Sequence, residues 1–352
     1  MKILVIGGTN FIGLNVVRQL VEMGHEVIVF HRGETKADLP KEVKWIKGDR
    51  HHLLKYKHEF QQLAPQVVLD MIPYTAKDAQ EVVDTFHDIA QRVVVISSQD
   101  VYRARDIVWQ RETGMIDPTP LTEDSLLRSQ LYPYRGLSDD PFTFDYDKIP
   151  VEQVLMNGSN LPATILRLPM VYGVGDYIHR LYPYLKRMDD QRPAIILEEK
   201  LARWQGSYGY VENVARAIAL AVNDQRATGR IYNISESTIT VADLVKAIAS
   251  IIGWQGEIVI LTKSQMPDTG KFEQNLDQHW ITDSTRIRTE LGYREIVERH
   301  EALRRTIIWE REHPPEAVME IGHAQLLDYQ DEDAILAKYC NSSITPATEP
   351  FN

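Results

Sequence analysis

Lys2–Ile6 is a short, nearly all-apolar run, the pattern of a strand covered on both faces as in a parallel sheet. A glycine-containing turn follows. Leu14, Val17, Leu20 and Val21 then recur at helical spacing, and Gly24 stands where a helix C-cap falls. "EVIVF" reads as a second strand. The alternation continues with "VKWI" as strand, "HHLLKYKHEFQQL" as helix, "QVVLDMI" as strand, residues 76–89 as helix and "RVVVISS" as strand. Five strands alternating with helices imply right-handed crossovers and predict a doubly wound parallel sheet.

An irregular, proline-containing stretch runs from Arg103 to Asp145, and loops of that length usually carry function. Beyond it, "ATILRLPMVYGVGD" reads as a sixth strand entering a turn, Val211–Asn223 as a helix, "RIYNIS" as a strand and Val241–Ile252 as a helix. Residues 257–261, 283–291 and 296–312 add a strand and two helices. The tail "HAQLLDYQDEDAILAKYCNSS" predicts one more helix, followed by a frayed end that contains proline. The expected division is a first α/β domain over 1–168, to which 205–235 return. A substrate lobe follows over 169–204 and 236–320, and then a C-terminal helix and tail over 321–352.

The chain has 352 residues, 43% of them hydrophobic and 25% charged, as in ordinary globular enzymes. Its formal net charge of −11 repels phosphate backbones and anionic lipid, and no basic patch offsets it, so small molecules are the expected partners. Nucleic-acid binding is disfavoured on this ground. No run approaches the roughly 20 apolar residues of a membrane helix. A single cysteine, Cys340, and the absence of a signal-like start give the cytoplasm as the expected address. His51, His52 and His58 face different ways on a helix and lack accompanying Cys or carboxylate ligands, so no metal is expected.

Between the first strand and its helix lies "GGTNFIG", Gly7 to Gly13, where backbone N–H groups and a helix N-terminus can hold a pyrophosphate. This makes the sheet Rossmann-type, with a smaller C-terminal α/β substrate lobe. Asn10 occupies the middle glycine position, and asparagine tolerates left-handed backbone angles. At the end of the second strand a NAD-preferring site places an acid on the ribose 2′-hydroxyl, but here "FHRG" supplies His31 and Arg32. Arg32 either pairs with a 2′-phosphate or is a solvated loop charge; the balance slightly favours NADP over NAD. Asp49 of "GDR" either meets the adenine amino group or is an exposed turn acid.

The motifs "GGTNFIG", "DMIPY", "ISSQDVY", "YDKIPVEQVL", "LRLPMVYGVGD", "YGYVENVARAI", "RIYNIS" and "ITDSTRIRTELGY" follow one another from residue 1 to about 313. In them the chain resembles an extended, atypical short-chain dehydrogenase/reductase of the NAD-dependent epimerase/dehydratase group. It is most similar to the atypical subgroup that includes the plastid stem-loop-binding proteins. The resemblance implies cofactor contacts at Gly7, Thr9, Asn10, Phe11, Ile12, Gly13, His31, Arg32, Asp49, Arg50, Met71, Ile72, Lys148, Pro169 and Met170. It further implies that Ser98 polarises the substrate oxygen, and that Lys148 holds the nicotinamide ribose and lowers the pKa of a tyrosine base. Dimerisation through residues 76–89 and 148–158 is also implied.

The tyrosine itself is displaced. Phe144 stands four residues before Lys148, where the family has its base, and Tyr146 is only two residues ahead, about 200° away on a helix. Pro150 is tolerated only in a first turn, so the helix is expected to begin near Asp147 as N-cap, leaving Tyr146 outside it. Tyr146 is therefore either the acid/base or a packing or substrate-binding residue, with Asp100, Tyr102 and Tyr134 as substitutes. Tyr177, His179, Arg180, Arg203, Trp204 and Tyr208 are candidates to line a substrate pocket. The expected activity is hydride transfer on a nucleotide sugar or similar hydroxyl-bearing molecule. The alternatives are a catalytically weak dinucleotide sensor or scaffold, and an RNA-binding protein.

Overall fold

The computed structural model describes residues 1–135, 141–157, 160–266, 274–316 and 328–342. Its strands are β1 (Lys2–Ile6), β2 (Glu26–His31), β3 (Lys44–Lys47), β4 (Val67–Asp70), β5 (Arg92–Ser98), β6 (Ala163–Leu168), β7 (Met170–Tyr172), β8 (Ala194–Glu198), β9 (Gln205–Gly206), β10 (Tyr208–Tyr210), β11 (Ile231–Asn233), β12 (Ile239–Thr240) and β13 (Glu257–Leu261). Seven of them form one parallel sheet in the order β11-β6-β5-β4-β1-β2-β3. Strand order reverses at β1, between β4 and β2. Ligands of open α/β sheets bind in the crevice at such a switch point, beyond the carboxyl ends of the strands.

The period of two is visible in the core. Ile3 and Val5 of β1, with Val27 and Val29 of β2, belong to the layer under the helices Phe11–Glu22 and Val211–Asn223. Leu4, Ile6, Ile28 and Phe30 belong to the opposite layer, with Phe60, Val82 and Phe86. That layer includes the helices Ala76–Phe86 and Lys148–Met156. Burying each such large aliphatic side chain stabilises by about 1.5–3 kcal/mol, so a polar substitution in either layer is costly.

Smaller pairings follow the central sheet: β7 with β10, β9 with β12, and β8 with β13. The tail helix Tyr329–Ser342 places Ile335 with Ala194, Ile196, Val259 and Leu261, against the β8/β13 pair. Arg187 and Arg192 hold its Glu332. The expected frayed end lies outside the described residues. Within the long irregular stretch the helices Arg103–Val108 and Pro141–Phe144 form, which periodicity did not show.

Candidate active site

Gly7 and Gly8 turn the chain with φ of +89° and +85°, and a Cβ on Gly13 would lie 2.5 Å from the Cα of Gly8. Strand and helix therefore approach as closely as backbone allows, and in the first turn of Phe11–Glu22 the Gly13 and Leu14 amides donate to the Asn10 carbonyl at 2.9 and 3.4 Å. Asn10 does not take the left-handed geometry expected of it. It is extended, at φ −140°, and caps the helix by accepting from the Phe11 N–H at 3.0 Å, while Phe11 takes φ +38°. One cradle amide is thus occupied by a side chain. Met71 and Ile72 flank Gly7, each with an atom 3.4 Å from where a Cβ would stand there.

Around the end of β2, the His31 Nδ1 accepts from the Gly33 N–H at 3.1 Å, which fixes the neutral ring with its proton on Nε2. Burial holds its pKa below the ordinary value. Arg32 is exposed and paired with Glu34 at 3.0 Å. Asp49 accepts from the His51 N–H at 3.0 Å as a helix cap, and that bond keeps its carboxyl below the usual range. Arg50, which the resemblance gave as a cofactor contact, has its guanidinium buried on Asp70 and, at 2.7 Å, on Asp78, the countercharge of two interior carboxylates.

The chemistry-bearing residues gather at the carboxyl ends of β4 and β5. Ser98 ends β5, and its Oγ accepts from the Asp100 N–H at 3.1 Å, leaving the hydroxyl proton to donate. Asp147 caps Lys148–Met156 by accepting from the Ile149 N–H at 2.9 Å, so the helix begins where Pro150 requires and Tyr146 lies outside it. The Lys148 ammonium is buried and donates to the carbonyls of Pro73 (2.8 Å) and Ile96 (3.0 Å). Desolvation lowers its pKa to about 8. It sits 4.9 Å from the Tyr74 ring and 5.7 Å from the Tyr146 ring.

The Tyr146 hydroxyl donates to Asp100 Oδ2 at 3.0 Å. Burial first, and the Asp100 charge second, push the phenol well above its ordinary pKa, opposite to the lowering expected from Lys148. Burial likewise raises the Asp100 carboxyl, whose other oxygen, Oδ1, is buried with no hydrogen-bond partner among the described residues. Tyr134 lies edge-on to Tyr146 at 5.3 Å, and the Arg105 guanidinium lies over the Tyr134 ring at 5.2 Å. Tyr102 is committed elsewhere. It donates to Asn233 at 2.7 Å and accepts from Arg167, which is itself held by Glu152.

Of the expected substrate-lobe residues, Trp204 is fully buried and donates to the Gln278 carbonyl, so it is packing. Arg203 is exposed. Tyr177 is exposed edge-on to Phe11 at 6.3 Å, which brings the loop after β7 to the mouth of the glycine turn. His179 pairs with buried Glu310 at 2.6 Å, and Arg180 donates to the Val171 carbonyl. Tyr208 is half-buried and pushed up to about 12 by burial. Pro169 and Met170 pack where β9 and β10 pass, beside Gly209 and Gly206. Sequence reading missed Tyr74, which ends "DMIPY", and Arg128, which bonds both Asp147 and the Asp100 carbonyl from within the long loop. Among the described residues no cluster of metal-ligating side chains occurs.

The seven-stranded parallel sheet with helices on both faces is a Rossmann-like α/β fold, and residues 3–235 match the NAD dependent epimerase/dehydratase family. The chain belongs to that family. It is 25% identical over 309 residues to the chloroplast stem-loop binding protein of 41 kDa b of Arabidopsis thaliana, covering 83% of this chain and 75% of the relative. To the 2′-dehydrokanamycin reductase of Streptomyces kanamyceticus it is 26% identical, over 67% of this chain and 62% of that one. The solved UDP-glucose 4-epimerase of Thermotoga maritima with UDP-glucose superposes with a TM-score of 0.65 at 19% identity, over 89% and 99% of the two chains. The dTDP-glucose 4,6-dehydratase of Streptomyces venezuelae, solved with NAD bound, gives 0.63 at 22%, over 89% and 98%. These likenesses show the fold.

Proposed function

We propose that the chain is an NAD(P)-dependent oxidoreductase of epimerase, dehydratase or reductase type, acting on a hydroxyl-bearing small molecule such as a nucleotide sugar. One observation carries this reading. Ser98, Tyr146, Asp100 and Lys148 converge beside a glycine turn built for a pyrophosphate, at the switch point of the sheet. The turn is compatible with a dinucleotide, because the missing Cβ atoms of Gly8 and Gly13 let strand and helix pack closely, although the Asn10 side chain takes the Phe11 amide. When bound, a nicotinamide supplies the hydride acceptor or donor. Lys148, with two of its three N–H groups on carbonyls, keeps the third for the ribose and stays mostly charged at neutral pH.

Proton movement follows from the hydrogen bonds. Ser98 donates to the substrate oxygen. In the oxidising direction Tyr146 accepts the substrate hydroxyl proton as its own passes to Asp100, and reduction reverses both transfers. Such a relay needs no free phenolate, so a raised phenol pKa is compatible with it, and the raised carboxyl of Asp100 is nearer the working pH than an ordinary one. The test is turnover across a panel of sugar nucleotides and simple polyols with either nucleotide. Dinucleotide binding without turnover on any of them would favour the sensor reading, which the raised Tyr146 supports. The stem-loop-binding relative motivates an RNA-binding reading, against which the net charge of −11 weighs. We further propose a homodimer through the helices Ala76–Phe86 and Lys148–Met156, read out as mass in light scattering.

A further inference from the structure

A tyrosine one helical turn ahead of the lysine is placed by the helix that carries both. Tyr146 is placed differently, because it stands before the Asp147 cap and takes no position from Lys148–Met156. Its hydroxyl nevertheless meets Asp100 at 3.0 Å, although residues 101–145 separate the two in sequence.

Arg128 joins the two ends of that stretch. Its backbone is tied to the segment after Asp100: Leu127 bridges Tyr102 in antiparallel fashion, the Arg128 N–H donates to the Val101 carbonyl at 2.8 Å, and the Arg103 N–H donates to the Leu126 carbonyl at 2.9 Å. Its side chain is fully buried. Nε donates to the Asp100 carbonyl at 2.6 Å, Nη2 to Asp147 Oδ1 at 2.8 Å and Nη1 to the Gln130 carbonyl at 2.6 Å. With the Tyr146 bond these contacts close a ring. It runs from the Asp100 backbone through the guanidinium to Asp147, on to the adjacent Tyr146, and back to the Asp100 carboxylate. A planar fork of donors fixes distance and angle together, which an ammonium on a flexible stem does not. The guanidinium also bears on the charge of Asp100. Burial raises that carboxyl, and Arg128 opposes the rise more than Arg105, Tyr146 or Lys148 does. Tyr134 lies within electrostatic range of the same carboxylate.

We propose that Arg128 is the positioning residue for the Tyr146–Asp100 relay, holding the displaced phenol on Asp100 in place of the helical spacing lost at Phe144. This rests on the relay proposed above and adds to it a residue with no exposed side-chain surface.

Turnover and calorimetry of the full chain test it. Arg128→Lys keeps the charge and loses the fork, so kcat should fall about 10²-fold, the cost of a misplacement of about 1 Å, with nucleotide affinity unchanged. In a Tyr146→Phe background the same change should lower kcat by less than about twofold further, because residues that act as one unit are not additive. The pH profile separates position from charge. Arg128→Lys should keep the rising limb at its wild-type pH, whereas Arg128→Met should move it upward, since Asp100 without that charge ionises later. Carbon-13 titration of the Asp100 carboxyl, assigned by its loss in Asp100→Asn, reads the same shift without turnover. If Arg128→Met fails to fold, Arg128→Met combined with Asp147→Asn removes the unpaired carboxylate and takes its place. A wild-type kcat in Arg128→Lys, full additivity with Tyr146→Phe, or an unmoved Asp100 titration in Arg128→Met overturns the positioning role and leaves the relay standing. Unchanged turnover in Tyr146→Phe alone, or wild-type protein without turnover, overturns the relay and this role with it.

Discussion

Tyr146 and Asp100 share one proton path, and each depends on the other in a way a lone tyrosine base would not. Tyr146→Phe and Asp100→Asn should each lower kcat by about 10²–10⁴, the usual weight of a positioned acid or base. Nucleotide affinity should stay unchanged in calorimetry. Ser98→Ala, which removes the donor to the substrate oxygen, should cost about 10²–10³ in kcat. The pH profile carries a signature. In the oxidising direction the rate should rise as Asp100 ionises, at a pH above the ordinary carboxylate range, and fall through about 8 as Lys148 loses its proton. Asp100→Asn should abolish the rising limb and leave the falling one. The places of Lys148 and Ser98 were proposed from the family resemblance of "YDKIPVEQVL" and "ISSQDVY". The Tyr146–Asp100 bond was not, because it joins residues 46 apart in sequence across a loop with no periodic pattern. The pairing of Arg50 with Asp70 and Asp78 was equally hidden, since "GDR" does not reveal that those two carboxylates need a countercharge.

Individual elements place those residues, and the helix Lys148–Met156 depends on its cap. Asp147 accepts from Ile149, from fully buried Arg128 at 2.8 Å and from the Tyr132 N–H at 2.7 Å, while its own N–H donates to the Tyr74 carbonyl. Asp147→Ala removes the cap, about 0.5–2 kcal/mol, and strips a buried arginine of its partner, about 3–5 kcal/mol. Denaturant unfolding should show a loss of several kcal/mol on that reckoning, with Asp147→Asn losing less because the cap survives. The helix Arg299–Glu312 offers a pH test. Burial raises Glu310 to about 7, above the 4.5 of an exposed glutamate. A raised folded-state pKa gives stability that is complete below the unfolded value and is lost as pH rises through about 7. Glu310→Gln should therefore flatten the melting temperature between pH 5 and 8, and at pH 8 it should raise it, by roughly 2–4 °C for each kcal/mol recovered. Scanning calorimetry at the two pH values decides. Helix spans with strong periodicity, such as Val211–Asn223 and Val241–Ile252, were readable to the residue. The short helix Arg103–Val108 was not, since it is buried on most of its length and shows no amphipathic stripe.

At the scale of the whole molecule, sheet order and charge give opposite weights to the two families of ligand. Reversal of strand order at β1 puts a crevice of the kind in which open α/β sheets bind ligands beside the glycine turn that follows β1. The formal charge of −11 works against RNA, although a stem-loop-binding relative matches over most of the chain. Protein that neutralises Z phosphates of a single strand shows log K falling with log salt at a slope of about −0.7Z. A surface with this charge balance should show no such slope, because few phosphates find a partner. Filter binding of a structured stem-loop at micromolar protein is expected to give no retention above background at 50–150 mM salt, within the range over which electrostatic binding of about six contacts is strong. Thermal unfolding with nucleotide at 100 times its Kd should instead show stabilisation of about 2.7 kcal/mol, since ligand binds only the folded state. The two measurements belong together. Steeply salt-dependent RNA retention with no nucleotide shift would move the functional surface away from the switch-point crevice. The reverse result ties function to the amides of the first βα turn.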